Sequence, residues 1–210
     1  MMDCRRIEKS VEGLLEKWQE RREGRRHLMI GIGGGTASGK STLAAAIAQR
    51  LESLKVEVIG QDRFFKPAAD LPPYVLPTRQ EPWPDYNRPD SFHAEEMFAH
   101  CRSLGGMDVV ILEGILVLYY PELRELMDIK CYVAADADER IVRRIRRNLK
   151  AGMELDEICD YYLDSVRFQH DRFNAPTEKQ ADLVIPGGAA DTEVREEMVE
   201  VLCGAIGRRF

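Results

Sequence analysis

A glycine-rich run from Gly33 to Thr42, GGTASGKST after a leading glycine, contains the pattern Gly34-x-x-x-x-Gly39-Lys40-Ser41. A loop of this kind folds its backbone N–H groups inward around phosphate oxygens, and glycines at 33, 34, 35 and 39 permit the dihedrals and close approach required. Gly34, Gly35, Thr36, Ala37, Ser38, Gly39, Lys40, Ser41 and Thr42 are therefore the candidate nucleotide-phosphate site. Lys40 would reach the outer phosphates as a point charge, the Ser41 hydroxyl suits a Mg ion, and Thr42 can donate to an inner phosphate. A phosphoryl acceptor also needs a carboxylate for its proton, and Mg needs acidic or water ligands. Asp62 and Glu113 each end a short apolar run. Alone, Asp62 could cap a turn and Glu113 could be a surface acid; together, at strand ends where the phosphate loop predicts the reaction centre, they favour a functional role.

The elements that must hold these residues follow from periodicity. Leu28–Ile32 is a short apolar run that predicts a buried strand, and Lys40–Leu54 has helical spacing, so the glycine loop joins a strand to a helix. Val56–Ile59, Val109–Leu112, Lys130–Ala134 and Asp182–Ile185 predict four more strands, separated by helical or loop sequence. That alternation implies an α/β fold, a P-loop three-layer sandwich on a mainly parallel sheet, with ligands at the carboxyl ends of the strands. Ile7, Val11, Leu14, Leu15 and Trp18 mark an amphipathic helix from Ile7 to about Arg22, closed by Gly24. It reads as a helix packed on the domain edge or on a subunit, within an N-terminal segment 1–24 ahead of a P-loop domain over 25–210. Prolines 67, 72, 73, 77, 82, 84 and 89 exclude a long regular element and predict an extended surface loop.

Composition narrows the function class. A chain of 210 residues with 44% hydrophobic and 31% charged residues can bury one ordinary core. A net charge of -6 argues against a general nucleic-acid binder, which needs a broad basic surface. The cysteines, Cys4, Cys101, Cys131, Cys159 and Cys203, are scattered without metal-site spacing and read as reduced thiols. No apolar leader or membrane-length run is present, so the expectation is a cytoplasmic protein with no membrane partner.

The P-loop TASGKST, the QDRFFKP strand end, YNRPDSF, ILEGILVLY, the ADADERIVRRIRRN helix and VRFQHDRFNAPTEKQADLVIPGG resemble blocks of the uridine kinase and phosphoribulokinase family in its order. QDRFFKP is also similar to nicotinamide riboside kinase. The resemblance implies an enzyme that transfers phosphate from Mg-ATP, or GTP, to a hydroxyl of a small molecule, foremost the 5'-hydroxyl of a nucleoside. Nicotinamide riboside, pantothenate or a sugar phosphate are other acceptors, and a non-catalytic nucleotide-binding module is a further reading. It implies that Asp62 accepts the acceptor's proton, that Glu113 holds Mg, and that Arg144 and Arg147 belong to a lid over about 138–160. Arginine's planar fork suits the charge on the equatorial oxygens of a transferring phosphoryl group. Arg140 and Arg143 read as a solvated basic face, and His170 as structural. A homo-oligomer is implied as well.

The chain also departs from the family's pattern. The stretch between Phe92 and Glu113 lacks the family's base-reading insertion, Asn87 stands where the family has a ribose-binding Asp, and Asn148 replaces a lid Asp. Phe65 or Phe64, Trp83, Tyr86, Asn87, Arg88 and Arg79 are the candidates for a replacement acceptor pocket, with loop anchoring as their plainer role.

Overall fold

The computed structural model describes residues 4–20, 27–75 and 82–210. Helices and strands alternate: α1 (Cys4–Glu20), β1 (Leu28–Gly34), α2 (Lys40–Arg50), β2 (Val56–Gly60), β3 (Pro73–Val75), β4 (Pro82–Pro84), α3 (Ala94–Ser103) and β5 (Val109–Glu113). They continue with α4 (Pro121–Leu126), β6 (Ile129–Ala134), α5 (Ala137–Lys150), α6 (Leu155–Tyr161), a short α7 (Arg167–Gln169), β7 (Leu183–Pro186) and α8 (Thr192–Gly207). Around α7 the helical path widens into π turns at Tyr162–Val166 and His170–Asn174 and then tightens to a 3-10 turn at Ala175–Gln180.

Five strands form one parallel sheet in the order β2-β5-β1-β6-β7. β1, at its centre, is buried along its whole length, as expected of a strand covered on both faces. Alternate residues then face opposite layers. Leu28, Ile30 and Ile32 pack with α2, α8 and α1, whereas Met29, Val110 and Leu112 pack with α3 and α4. The result is the expected three-layer sandwich; β1, β2, β5 and β7 run one or two residues further at their carboxyl ends than the apolar runs suggested, while β6 ends at Ala134 as expected.

Two expectations change. Val11, Leu15 and Trp18 of α1 are fully buried and share a core with Leu202 and Ile206 of α8, so this helix is built into the main core. The helix-closing role of Gly24 lies outside the described residues. The proline-rich stretch is not wholly loop: β3 and β4 form a small antiparallel ribbon pairing Tyr74 with Trp83. Short edge pairing tolerates prolines, which lack only the donor. Among the described residues no helix is long and apolar enough to cross a membrane. Cys101, Cys131, Cys159 and Cys203 are free thiols.

Candidate active site

Register sets the site. In the parallel ladders, both Ile32 of β1 and Gly60 of β2 pair with Glu113 at the end of β5. The P-loop after β1, the turn after β2 and the acid ending β5 therefore emerge at one edge of the sheet. Gly34 has φ 141°, a region open to glycine, and a side chain there would stand 2.6 Å from the Val133 carbonyl oxygen. The loop leads into α2, whose free N–H groups and dipole face the same edge.

A cavity of about 1030 Å³ opens over this edge, at the upper end for a single ligand pocket and large enough for two substrates together. Thr36, Ala37, Ser38, Gly39, Lys40, Ser41 and Thr42 line it, together with Asp62, Glu113, Arg144 and Arg147. Gly34 and Gly35 lie behind this wall, where their carbonyls accept from Asn174 Nδ2 at 2.9 Å and Lys40 Nζ at 2.8 Å. Ser41 Oγ donates to Glu113 Oε1 at 2.9 Å. A hydroxyl and a carboxylate in contact, beside phosphate-binding amides, are a donor set that fits Mg completed by phosphate oxygens and water. Among the described residues no group of three or more His, Cys, Asp or Glu side chains could hold a metal by itself.

Asp62 sits in the 3-10 turn Gln61–Phe64, exposed to the cavity. The fully buried Gln61 anchors that turn, its Oε1 accepting from the Leu116 N–H at 2.9 Å. Asp62 and Glu113 are both close enough to Lys40 to favour its charged form, yet burial dominates and pushes the Lys40 ammonium down to about 8.

The arginines of α5 are arranged differently from expectation. The buried face of this helix is polar: Arg140, Arg144 and Asn148, four residues apart. Arg144 is 7% exposed, and its Nη1 donates to Thr36 Oγ1 at 3.0 Å. Arg147 lines the cavity from an exposed position, with Nε donating to Asn148 Oδ1 at 3.1 Å. Arg143 is no solvated residue, because its Nη1 donates to the Gly187 carbonyl at 2.8 Å and its Nη2 pairs with Glu139. Arg140, also read as solvated, is 5% exposed and lies behind the P-loop. The π turn places His170 against Gly35 as well, and burial, followed by the charge of Arg140, pushes its imidazole down to about 4.

A second part of the lining is aromatic and amide-bearing. Phe65, Trp83, Tyr86, Asn87 and Tyr161 line the cavity, with Phe65 stacked on Phe92 and edge-on to Tyr86. Phe64 is buried away from the cavity. Arg88 is not on the cavity wall either, since its Nε and Nη2 hold Asp90 at 2.9 and 2.7 Å. Arg79 lies outside the described residues.

Sequence reasoning missed three residues here. Asp85 is fully buried, accepting from the Asn87 N–H at 2.9 Å and Gln169 Nε2 at 2.9 Å. The Tyr161 hydroxyl accepts from Asn87 Nδ2 at 2.9 Å and the Tyr86 N–H at 3.1 Å, and burial keeps it protonated. Asn174 ties Gly34 to Ile115 and accepts from the Tyr132 hydroxyl. Asp85 stands within the same sequence block as Asn87 and could have been noticed there, whereas Tyr161 and Asn174 carried no local signal.

A family model described as Phosphoribulokinase / Uridine kinase family matches residues 78–193. A uridine kinase of Clostridium botulinum (strain Langeland) is 34% identical over 201 residues, covering 83% of this chain and 95% of the relative. One from Bacillus licheniformis is 34% identical over 202 residues, covering 84% and 93%. Among solved structures, a putative fructose transport system kinase from Silicibacter sp. TM1040 aligns with a TM-score of 0.55 at 19% identity, over 84% of this chain and 98% of that one. A possible uridine kinase from Bacillus stearothermophilus aligns at 0.52 and 18%, over 84% and 97%; at these identities the likeness speaks to fold. On the sequence relatives and the family model, the chain belongs to the phosphoribulokinase and uridine kinase family.

Proposed function

We propose that this protein transfers the terminal phosphoryl group of Mg-ATP to a hydroxyl of a small, nucleoside-like molecule, foremost a 5'-hydroxyl. The observation that carries this reading is one continuous cavity lined together by the P-loop, the buried cations Lys40 and Arg144, a group of aromatic residues, and Asp62. Lys40 and Arg144 are buried cations with no carboxylate in ion-pair contact among the described residues, and the more distant Asp62 and Glu113 offset the burial of Lys40 only in part. Buried charge without a partner is unfavourable, so this part of the lining is built for anions. The names of the sequence relatives, uridine kinases, support the nucleoside class.

In this account Ser41 and Glu113 hold Mg, which when bound neutralises charge on the outer phosphates. Asp62 accepts the proton of the attacking hydroxyl, while Lys40, Arg144 and Arg147 stabilise charge developing on the transferred group. Phe65, Tyr86 and Trp83 offer ring faces to a planar base. Asn87 can give only its Oδ1 to the acceptor, because its Nδ2 is engaged by Asp85 and Tyr161. ATP use fits a cytoplasmic enzyme.

The test is Asp62→Asn. ATP affinity should stay within a few-fold of the parent while turnover drops by roughly a hundredfold or more, the scale of a lost general base. Unchanged turnover would remove Asp62 from that role.

A further inference from the structure

Arg140 stands apart from the site already described. It lies on the inner face of α5, 5% exposed, and does not line the cavity. Its Nε donates to the Ala135 carbonyl at 3.0 Å, but its Nη1 is buried with no hydrogen-bond partner. No carboxylate pairs with it among the described residues. An arginine in this state is unfavourable twice over, for a charge removed from water and for a donor left unsatisfied.

Its neighbour explains what keeps it there. A side chain built on Gly35 would stand 2.6 Å from Arg140 Nη1 and 3.0 Å from His170 Cε1. The guanidinium and the imidazole thus fill the space that glycine leaves behind the P-loop. From the other direction Lys40 donates to the Gly35 carbonyl at 2.8 Å, and the charge of Arg140 acts against the charge of Lys40. Two buried cations therefore sandwich one glycine of the loop. His170 adds no third charge at neutral pH, being held neutral by its surroundings.

We propose that Arg140 is a positioning residue acting through the P-loop: an unpaired cation behind Gly35 that destabilises the empty protein and is compensated when a polyphosphate occupies the cavity side of the loop. This rests on the reading of the loop as a triphosphate site. It predicts that removing the charge moves empty-state stability and ligand affinity in opposite directions, which a packing role would not do.

The experiment compares the parent, Arg140→Met and Arg140→Lys in two readouts: the melting temperature without ligand, and the affinity for inorganic tripolyphosphate and for Mg-ATP. Arg140→Met should melt higher than the parent without ligand and bind both ligands about tenfold more weakly, the scale of one unit charge acting across several ångströms of protein at an effective dielectric near 20. Arg140→Lys should recover most of the affinity. Affinity of Arg140→Met within twofold of the parent would overturn the proposal. So would a melting temperature equal to or below the parent's, or failure of that variant to fold, which would make Arg140 an ordinary packing residue. Absence of tripolyphosphate and ATP binding by the parent itself would overturn the triphosphate reading and this proposal with it.

Discussion

Tyr161 shows how one side chain can join two parts of the cavity lining. Its ring stands 5.4 Å from the Arg144 guanidinium carbon, and that arginine donates to Thr36 of the P-loop. Its hydroxyl accepts from the Tyr86 N–H and the Asn87 amide in the aromatic part of the lining. Tyr161→Phe keeps the ring and removes the acceptor, leaving two donors unsatisfied, at about 1–3 kcal/mol for a buried group. The expected result is a KM for the acceptor raised about tenfold, with KM for ATP moving less than threefold; steady-state kinetics with each substrate varied would show it. His170 gives a second prediction at this scale. Its pKa lies near 4 in the folded chain against 6.5 as the ordinary value, through burial and then Arg140. Below pH 6.5 the unfolded chain binds the additional proton, so this group's contribution to stability is lost as pH falls from 6.5 towards 4. Melting curves of His170→Gln should therefore fall less steeply over that window than those of the parent.

The helix α5 carries the lesson about what a sequence can disclose. Its buried stripe is Arg140, Arg144 and Asn148, while Val142 and Leu149 are exposed. Searching for apolar residues at helical spacing assigns such a helix the wrong face, since burial against a phosphate loop selects cations and not hydrocarbon. Arg140 and Arg143 therefore have the spacing of a solvated basic face but are held by the Ala135 and Gly187 carbonyls. The strands were legible for the opposite reason: β1 and the Val109–Leu112 stretch of β5 are continuous apolar runs because both of their faces are covered, and β6 is broken only by Lys130, which pairs with Asp182. The glycine pattern disclosed the P-loop since only glycine accommodates φ 141° at Gly34. The aromatic part of the lining was less legible. Phe65, Trp83, Tyr86 and Asn87 were found, but Arg88 turns to Asp90, and Asp85, Gln169 and Tyr161 meet only through long-range packing. The π turns that position Gln169 and Asn174 leave no spacing signature.

At the scale of the molecule, the two ends of the chain close on each other. Arg208 and Arg209 of the C-terminal end pair with Glu8 and Glu12 of α1, and Trp18 meets Phe210 with ring centres 5.3 Å apart. Trp18 is fully buried in the core shared by α1 and α8. Trp18→Ala should cost about 3–5 kcal/mol and lower the melting temperature by on the order of 10 °C. The exposed Arg208 pairs should matter far less, because solvent screens them. A calorimetric scan in which Trp18→Ala melted with the parent would mean that α1 is dispensable to the body. The same core sets the strand ends that bring the P-loop, Asp62 and Glu113 to one edge, so distant packing and local chemistry are one problem.

The central claim is phosphoryl transfer to an acceptor, and it is tested most directly by mass. The protein would be incubated with Mg-ATP and, in turn, uridine, cytidine, nicotinamide riboside, pantothenate and pentose phosphates, with ADP release and acceptor mass followed together and a control lacking acceptor. The account predicts ADP release that depends on an added nucleoside, with that nucleoside gaining one phosphoryl group. ADP release at the same rate without any acceptor, or no transfer to any of them despite ATP binding, would contradict it.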